Sequence, residues 1–182
     1  MALIFMILLK KFRVVNLLCA LVAVTLVAGF ICSNSAHAEA AVGGVHLAPA
    51  WRLTDLQGHA VSSEQFKGKV VVVDFWATWC GPCIGEIPGY IALQKKYGAD
   101  GLVIVGISLD QKGPGQVKKF AEANHMNYLI VMADDNVAEA FGGFEVIPTT
   151  FLINRAGEIV HRKTGAMAHE AYEELVKQAL AH

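Results

Sequence analysis

Apolar residues along this chain follow two periods, and the switches between them mark the elements. Lys69-Val70-Val71-Val72-Val73-Asp74-Phe75-Trp76 is an apolar, β-branched run of strand length. From Pro82 to Tyr97 the period turns helical, with Ile84, Ile87, Tyr90 and Ile91 at three- and four-residue spacing. Pro88 lies inside that helix and is expected to kink it by removing one backbone donor. Upstream, Trp51–Leu56 and His59–Ser62 predict two short strands joined at Gln57-Gly58, with a turn of helix at Ser62–Phe66. Downstream come a buried strand at Gly101–Ile107, a helix at Pro114–Ala123 and a strand at Tyr128–Met132. Asp134-Asp135 then caps a short helix ending at Gly142-Gly143. Thr149–Ile153 and Glu158–Lys163 form a hairpin about the turn cluster Asn154-Arg155-Ala156-Gly157. A last amphipathic helix spans His169–Leu180, with Tyr172, Leu175, Val176 and Ala179 inward. Strands alternating with helices imply an α/β domain of three layers around a mixed sheet.

The chemistry sits where the first long strand meets the first long helix, at Trp79-Cys80-Gly81-Pro82-Cys83. Two thiols separated by two residues can close into a disulfide. At a helix N-terminus the first sulfur faces unpaired N–H groups and the positive end of the helix dipole, which lower its pKa below the free value of about 8.5. Cys80 is therefore the attacking sulfur, partly exposed, and Cys83, one helical turn in and more buried, is the resolving one. A zinc half-site would need two further Cys or His ligands at suitable spacing, and the scattered histidines offer none. Residue 84 is Ile where a haem-attachment motif has His. Asp74, six residues before Cys80, lies in an otherwise apolar strand; desolvation there raises a carboxyl pKa and suits it to exchange protons with the resolving thiol. Its plainer alternative is an acid at a strand end facing water.

The hydrophobic fraction of 54% over 182 residues is inflated by the first 38. Lys10, Lys11 and Arg13 precede the apolar run Val14–Ile31, and Ser35-Ala36-His37-Ala38 provides a small-residue cleavage site before Glu39. Residues 1–38 are expected to be a secretory signal peptide, or else an uncleaved membrane anchor. Residues 39–48 read as a Gly/Ala-rich linker, and 49–182 as the domain. Residues 39–182 retain all 16 acids but only 12 of the 15 Lys and Arg, a net charge of −4 with no basic patch. That excludes nucleic acid as the expected partner. Cys19 and Cys32 leave with the leader, so the domain keeps only the Cys80/Cys83 pair. It is too few for a stapled scaffold, and a domain this size buries a sufficient core without one. Export would place the dithiol in the periplasm, outside the reducing cytosol, where a reductase needs a continuing electron supply.

The run Asp74–Cys83, with Pro88 five residues on and Ile147-Pro148-Thr149 before the hairpin, closely resembles thioredoxins. The opening pattern APAWRLTDLQGHAVSSEQFKGKVVVVDFWATWC, and the extra helix and strand between Gly106 and the Pro148 loop, are similar to the TlpA/ResA branch, the exported thiol–disulfide oxidoreductases. The likeness covers about Ala48 to Leu180. It implies a thioredoxin-like fold with an N-terminal β-hairpin and a βα insertion. The resemblance assigns Asp74 a proton-handling role beneath Cys83, and Glu86, three residues after Cys83, an influence on thiol pKa and target choice. Many relatives carry Asn at the strand position, so which of the two acids dominates is left open. As an ordinary helix-surface glutamate, Glu86 would need no such role.

The same resemblance implies a cis bond at Pro148, a loop packed against the dithiol, and a backbone at Ile147 able to pair with an extended client segment. By its residue type alone, Pro148 would be a trans proline at a strand entrance. Trp79, Gly81, Pro82, Ile147, Pro148 and Thr149 are the expected client-binding residues, with Trp79 a partly exposed platform and Trp76 packing, the plainer alternative being that either is only core. The Gly81-Pro82 pair goes with reductant behaviour. The implied activity is reduction of disulfides in client proteins by a monomer that needs no cofactor beyond its own Cys80–Cys83 pair. A membrane-embedded thiol–disulfide transporter is the expected electron source, and apocytochromes are one possible client class. The run VIPTTFLIN is closer to the general TlpA/ResA pattern than to the cytochrome-maturation type with Pro-Glu-Thr, so that client is not assigned. Two other readings stay open: a thiol peroxidase, and a non-catalytic binding module with a vestigial dithiol.

Overall fold

The computed structural model describes residues 46–182. The expected leader, and all of the linker before His46, lie outside the described residues. Seven strands form one mixed sheet: β1 Arg52–Asp55, β2 Ala60–Ser62, β3 Val70–Trp76, β4 Leu102–Ser108, β5 Leu129–Met132, β6 Thr149–Ile153 and β7 Ile159–Thr164. Four helices accompany it: α1 Gly81–Tyr97, α2 Pro114–Ala123, α3 Val137–Ala140 and α4 His169–Leu180. The strand order is β2-β1-β5-β4-β3-β6-β7. The central β3, β4 and β5 are parallel neighbours, and the others pair antiparallel. This is a thioredoxin-like α/β fold.

The near-continuous apolar reading of β3 follows from its central place. All seven of its residues are buried, as expected for a strand covered on both faces. Val71, Val73 and Phe75 point into one core with Trp51, Phe141 and Phe151. Val70 and Val72 point to the other side, against Tyr90 and Leu93 of α1 and Tyr172 and Val176 of α4. Each such valine contributes roughly 1.5–3 kcal/mol when fully buried. Further along that second face, Trp76 packs with Cys83, Ile87 and the α2 residues Val117 and Ala121. The redox pair is thus anchored on the hydrophobic layer that holds α1 to the sheet.

Element positions agree closely with the pattern, with small differences at the ends. Helix α1 begins at Gly81, with Cys80 as its N-cap, and runs unbroken through Pro88. Helix α3 has only four residues, because Asn136 is its cap. Asp134 prepares that cap, its Oδ1 accepting from the N–H groups of Asn136 at 3.1 Å and Val137 at 2.8 Å. The stretch assigned to the linker reaches less far than expected. Leu47 bridges Glu158, and Ala48 N–H donates to Gly157 O at 2.8 Å. Ordered pairing therefore begins ahead of Pro49, because the turn before β7 leaves backbone groups that this segment satisfies.

Candidate active site

Cys80 and Cys83 are joined in a disulfide, with Cα atoms 5.3 Å apart. The spacing works because a helix starting at Gly81 turns the fourth residue back over its cap. The Cys83 N–H points at Cys80 Sγ, 3.3 Å away. One of the orphan donors at the helix start is thereby aimed at the first sulfur, which is where charge develops when the bridge opens. Cys80 is 6% exposed and Cys83 2%. The order is the expected one, but Cys80 is more covered than its place at a helix end suggests. The cover comes from the Ile147–Pro148 loop, whose Ile147 carbonyl oxygen lies 3.7 Å from Cys80 Sγ.

The Ile147–Pro148 bond is cis. Pro148 is buried and Ile147 half-buried. Thr149 is fully buried, its hydroxyl donating to Val146 O at 2.8 Å. Thr149 therefore shapes the loop and has no surface to offer a client, which corrects the sequence expectation for this residue. What the site does expose is apolar: Trp79 at 68%, Val146 at 51%, and the Gly81-Pro82 pair between the cysteines. Trp76 is buried at 2%, packed on Phe120 at 5.7 Å between ring centroids.

The segment leading into Cys80 is held by a residue outside the dithiol motif. Asp110, 7% exposed, accepts from Thr78 N–H at 2.9 Å, Thr78 Oγ1–H at 2.5 Å and Ser108 Oγ–H at 2.9 Å. Gln116 adds a bond to Thr78 Oγ1 at 3.1 Å. Hydrogen bonds to a charged acceptor are the strong ones, so Asp110 ties the approach to the dithiol onto the end of β4. An isolated acid two residues past a buried strand gives no sequence signal of this role.

On the α1 side of β3, the face on which Trp76 packs against Cys83, lies a row of polar residues set by strand register. Asp74 stands beside Gly106 of β4 and opposite Thr150 of β6, and Thr150 stands opposite Lys163 of β7. Asp74 is 3% exposed, so the solvent-facing alternative is ruled out. Burial pushes its carboxyl up to about 7 from 3.8, and the nearby charge of Glu86 adds to that. The Thr150 hydroxyl, donating to Asp74 Oδ1 at 2.9 Å, and the charge of Lys163 pull the other way. Tyr90 OH lies 3.2 Å from Thr150 Oγ1 and extends the network. Burial also holds the Tyr90, Tyr128 and Tyr172 hydroxyls above their ordinary range, with the charge of Asp74 adding to it.

Glu86 is turned toward Lys163, with which it forms an ion pair, and its Oε1 also accepts from Met167 N–H at 3.0 Å. Lys163 carries no local sequence signal of a role at this site. It is 4% exposed, because its place in β7 puts it on the inner face beside Thr150. Among the described residues, no three His, Cys, Asp or Glu side chains are grouped to hold a metal ion.

Residues 44–180 match the Redoxin family. The chain is 32% identical over 171 residues to the thiol-disulfide oxidoreductase ResA of Bacillus thuringiensis subsp. konkukian, covering 92% of this chain and 94% of that one. It is 35% identical over 155 residues to ResA of Geobacillus thermodenitrificans, with 85% of each chain covered. A crystal structure of a thiol:disulfide interchange protein of the thioredoxin family from Chlorobium tepidum superposes with a TM-score of 0.70 at 32% identity. That match covers 75% of this chain and 97% of the other. A bridged Cys-Gly-Pro-Cys at a helix start, on this sheet and among these relatives, places the chain in the TlpA/ResA-like thiol–disulfide oxidoreductases of the thioredoxin superfamily.

Proposed function

We propose that this enzyme reduces disulfides in exported client proteins, and that the closed Cys80–Cys83 bridge is the state left after one turnover. In the reduced protein, the Cys80 thiolate attacks a client disulfide, forms a mixed disulfide and expels one client thiolate. Cys83 then loses its proton and attacks the Cys80 sulfur, expelling the second client thiolate. Two electrons pass to the client, and the enzyme is left with its own disulfide. A membrane-embedded dithiol donor returns the electrons, and no other cofactor takes part. The expected leader is the ground for assigning this chemistry to the periplasm.

Asp74 is the acceptor for the Cys83 proton. A thiol near 8.5 giving its proton to a carboxylate at 3.8 faces an uphill step of roughly 6 kcal/mol; with the carboxyl at about 7 the step falls to roughly 2 kcal/mol. Trp79, Val146 and Ile147 give an extended client segment an apolar edge beside the sulfur, and the exposed Gly81-Pro82 pair lets it approach closely. The observation that carries this reading is the dithiol capping α1 with the Cys83 N–H aimed at the Cys80 sulfur. The test is a Cys83→Ser variant of the exported protein. It should accumulate clients as mixed disulfides through Cys80, identified by mass spectrometry, and the unaltered protein should reduce insulin with a chemical donor. A folded protein that neither traps partners nor reduces insulin overturns the proposal.

A further inference from the structure

Lys163 is among the most deeply buried charged side chains of the described residues, yet the disulfide chemistry does not use it directly. It lies in register with Thr150, which lies in register with Asp74, so the three side chains form one line across β7, β6 and β3. Its ammonium meets Glu86 from α1, and the ring of Tyr172 from α4 lies 5.6 Å away. A lysine in such a place is costly to desolvate and is tolerated only when paired. The pair also binds Met167 N–H through Glu86, joining α1 to the segment between β7 and α4.

We propose that Lys163 is a positioning residue of the redox site, holding Glu86 in an ion pair and governing the protonation of Asp74, and through it the pH at which Cys83 can resolve a mixed disulfide. The inference rests on the reading of Asp74 as proton acceptor and deepens it. Glu86 and Lys163 act on Asp74 with opposite signs, so neither can be understood alone. Burial raises the Asp74 carboxyl, Lys163 opposes that rise, and Glu86 offsets the lysine only in part. Glu86 becomes the fastener that keeps the lysine in the sheet, and the proton traffic is left to Asp74.

Titratable groups act on or feel Asp74 from several elements: Glu86 and Tyr90 from α1, Tyr128 just ahead of β5, Lys163 from β7 and Tyr172 from α4, while its strand neighbours at Gly106 and Thr150 bring none. His169 enters indirectly. It lines, with Glu86, Tyr90, Met167 and Tyr172, a cavity of about 70 Å³ between α1 and α4. Glu86 Oε2 and Tyr172 OH are both buried without a hydrogen-bond partner. A polar wall around a space of this size suits water, so the outer side of the ion pair can be hydrated while its inner side faces the sheet.

Two strand spacings, roughly 10 Å, separate the Lys163 and Asp74 positions. At an effective dielectric of about 20, a unit charge at that distance moves a carboxyl by about one pH unit, roughly tenfold in its ionisation constant. The experiment follows the Asp74 carboxyl by carbon NMR across pH 4–10 in oxidised protein. It compares the unaltered chain with Lys163→Met, Lys163→Arg, Glu86→Gln and the double variant Lys163→Met/Glu86→Gln. Lys163→Met should raise the Asp74 midpoint by about one pH unit, Glu86→Gln should lower it, and Lys163→Arg should hold it near the original value. Lys163→Met leaves a buried carboxylate unpaired and can unfold the protein, so the decisive step is adding Lys163→Met to the Glu86→Gln background. There too the midpoint should rise by about one pH unit. An unchanged midpoint in that comparison overturns the proposal. The pH profile of mixed-disulfide release in the reduced enzyme should move in the same direction. Because the NMR titration is made on the oxidised protein, it reads Lys163 even if insulin reduction fails, and the two readings fail separately.

Discussion

Replacing Asp74 with Asn should change how stability depends on pH, and the structure sets both sign and size. In the unfolded chain this carboxyl ionises near 3.8, and in the native protein burial moves it to about 7. Between those values the unfolded state holds fewer protons than the native one, so the free energy of unfolding falls as pH rises. The stabilising difference is whole below about 4 and gone once pH passes through about 7. Roughly three pH units at 1.36 kcal/mol each make the loss about 4 kcal/mol. Asn at this position stays neutral and still presents an oxygen to the Thr150 hydroxyl. Groups that Asp74 does not touch cancel when one curve is subtracted from the other, and the tyrosines that feel its charge stay protonated over this range, so the difference reports Asp74. Urea unfolding of both, disulfide intact, at intervals from pH 4 to 8.5 gives the measurement. Relative to wild type, Asp74→Asn should gain about 4 kcal/mol between pH 4 and pH 8. If the two proteins keep the same difference at all pH values, Asp74 is not a buried acid with a raised pKa, and its role as acceptor for the Cys83 proton loses its basis.

Asp110→Ala should cost about 1–3 kcal/mol, because Thr78 N–H and two hydroxyls lose a charged acceptor. It should also change the rate at which reduced Cys80 is alkylated; urea unfolding and an iodoacetamide time course check both, and Asp110→Asn should recover part of each. Gly106→Ala should cost about 1–3 kcal/mol by overpacking. The added Cβ would meet Trp76 Nε1 at 2.9 Å and Tyr128 Cε2 at 3.4 Å, and Trp76, 2% exposed, would have to shift within the core. Thermal unfolding with tryptophan fluorescence reads that change, and an unaltered midpoint would refute the packing argument.

Much of this site is legible locally, for a physical reason. The Cys-x-x-Cys spacing matches a helical turn, so any helix beginning at Gly81 brings the Cys83 N–H to the Cys80 sulfur whatever surrounds it. The apolar run of β3 marks a central strand, and an acid inside it is conspicuous because every neighbour is apolar. Helix α4 was readable end to end, since its inward stripe of Tyr172, Val176 and Ala179 keeps the helical period.

Other parts depended on pairing between distant segments. In β7 the residues alternate so that Val160 is half exposed while Lys163 is buried, the reverse of what hydrophobicity suggests. Register decides the lysine: once Thr150 is opposite Lys163, Lys163 shares the inward face of Thr150, whereas Val160 falls at the register shift between the Leu152 and Ile153 pairings. Glu86 and Lys163 lie 77 residues apart, and Thr78 and Asp110 lie 32 apart; no local pattern couples either pair. Thr149 looked like a contact residue because of its place in the loop, and only packing showed its hydroxyl turned inward. The sequence by itself determined the dithiol, its helix and the buried acid, because each follows from the period and polarity of a short stretch. Which charges stand around that acid was decided only when the sheet closed, because the charge of a buried group is set by neighbours that the chain brings from elsewhere.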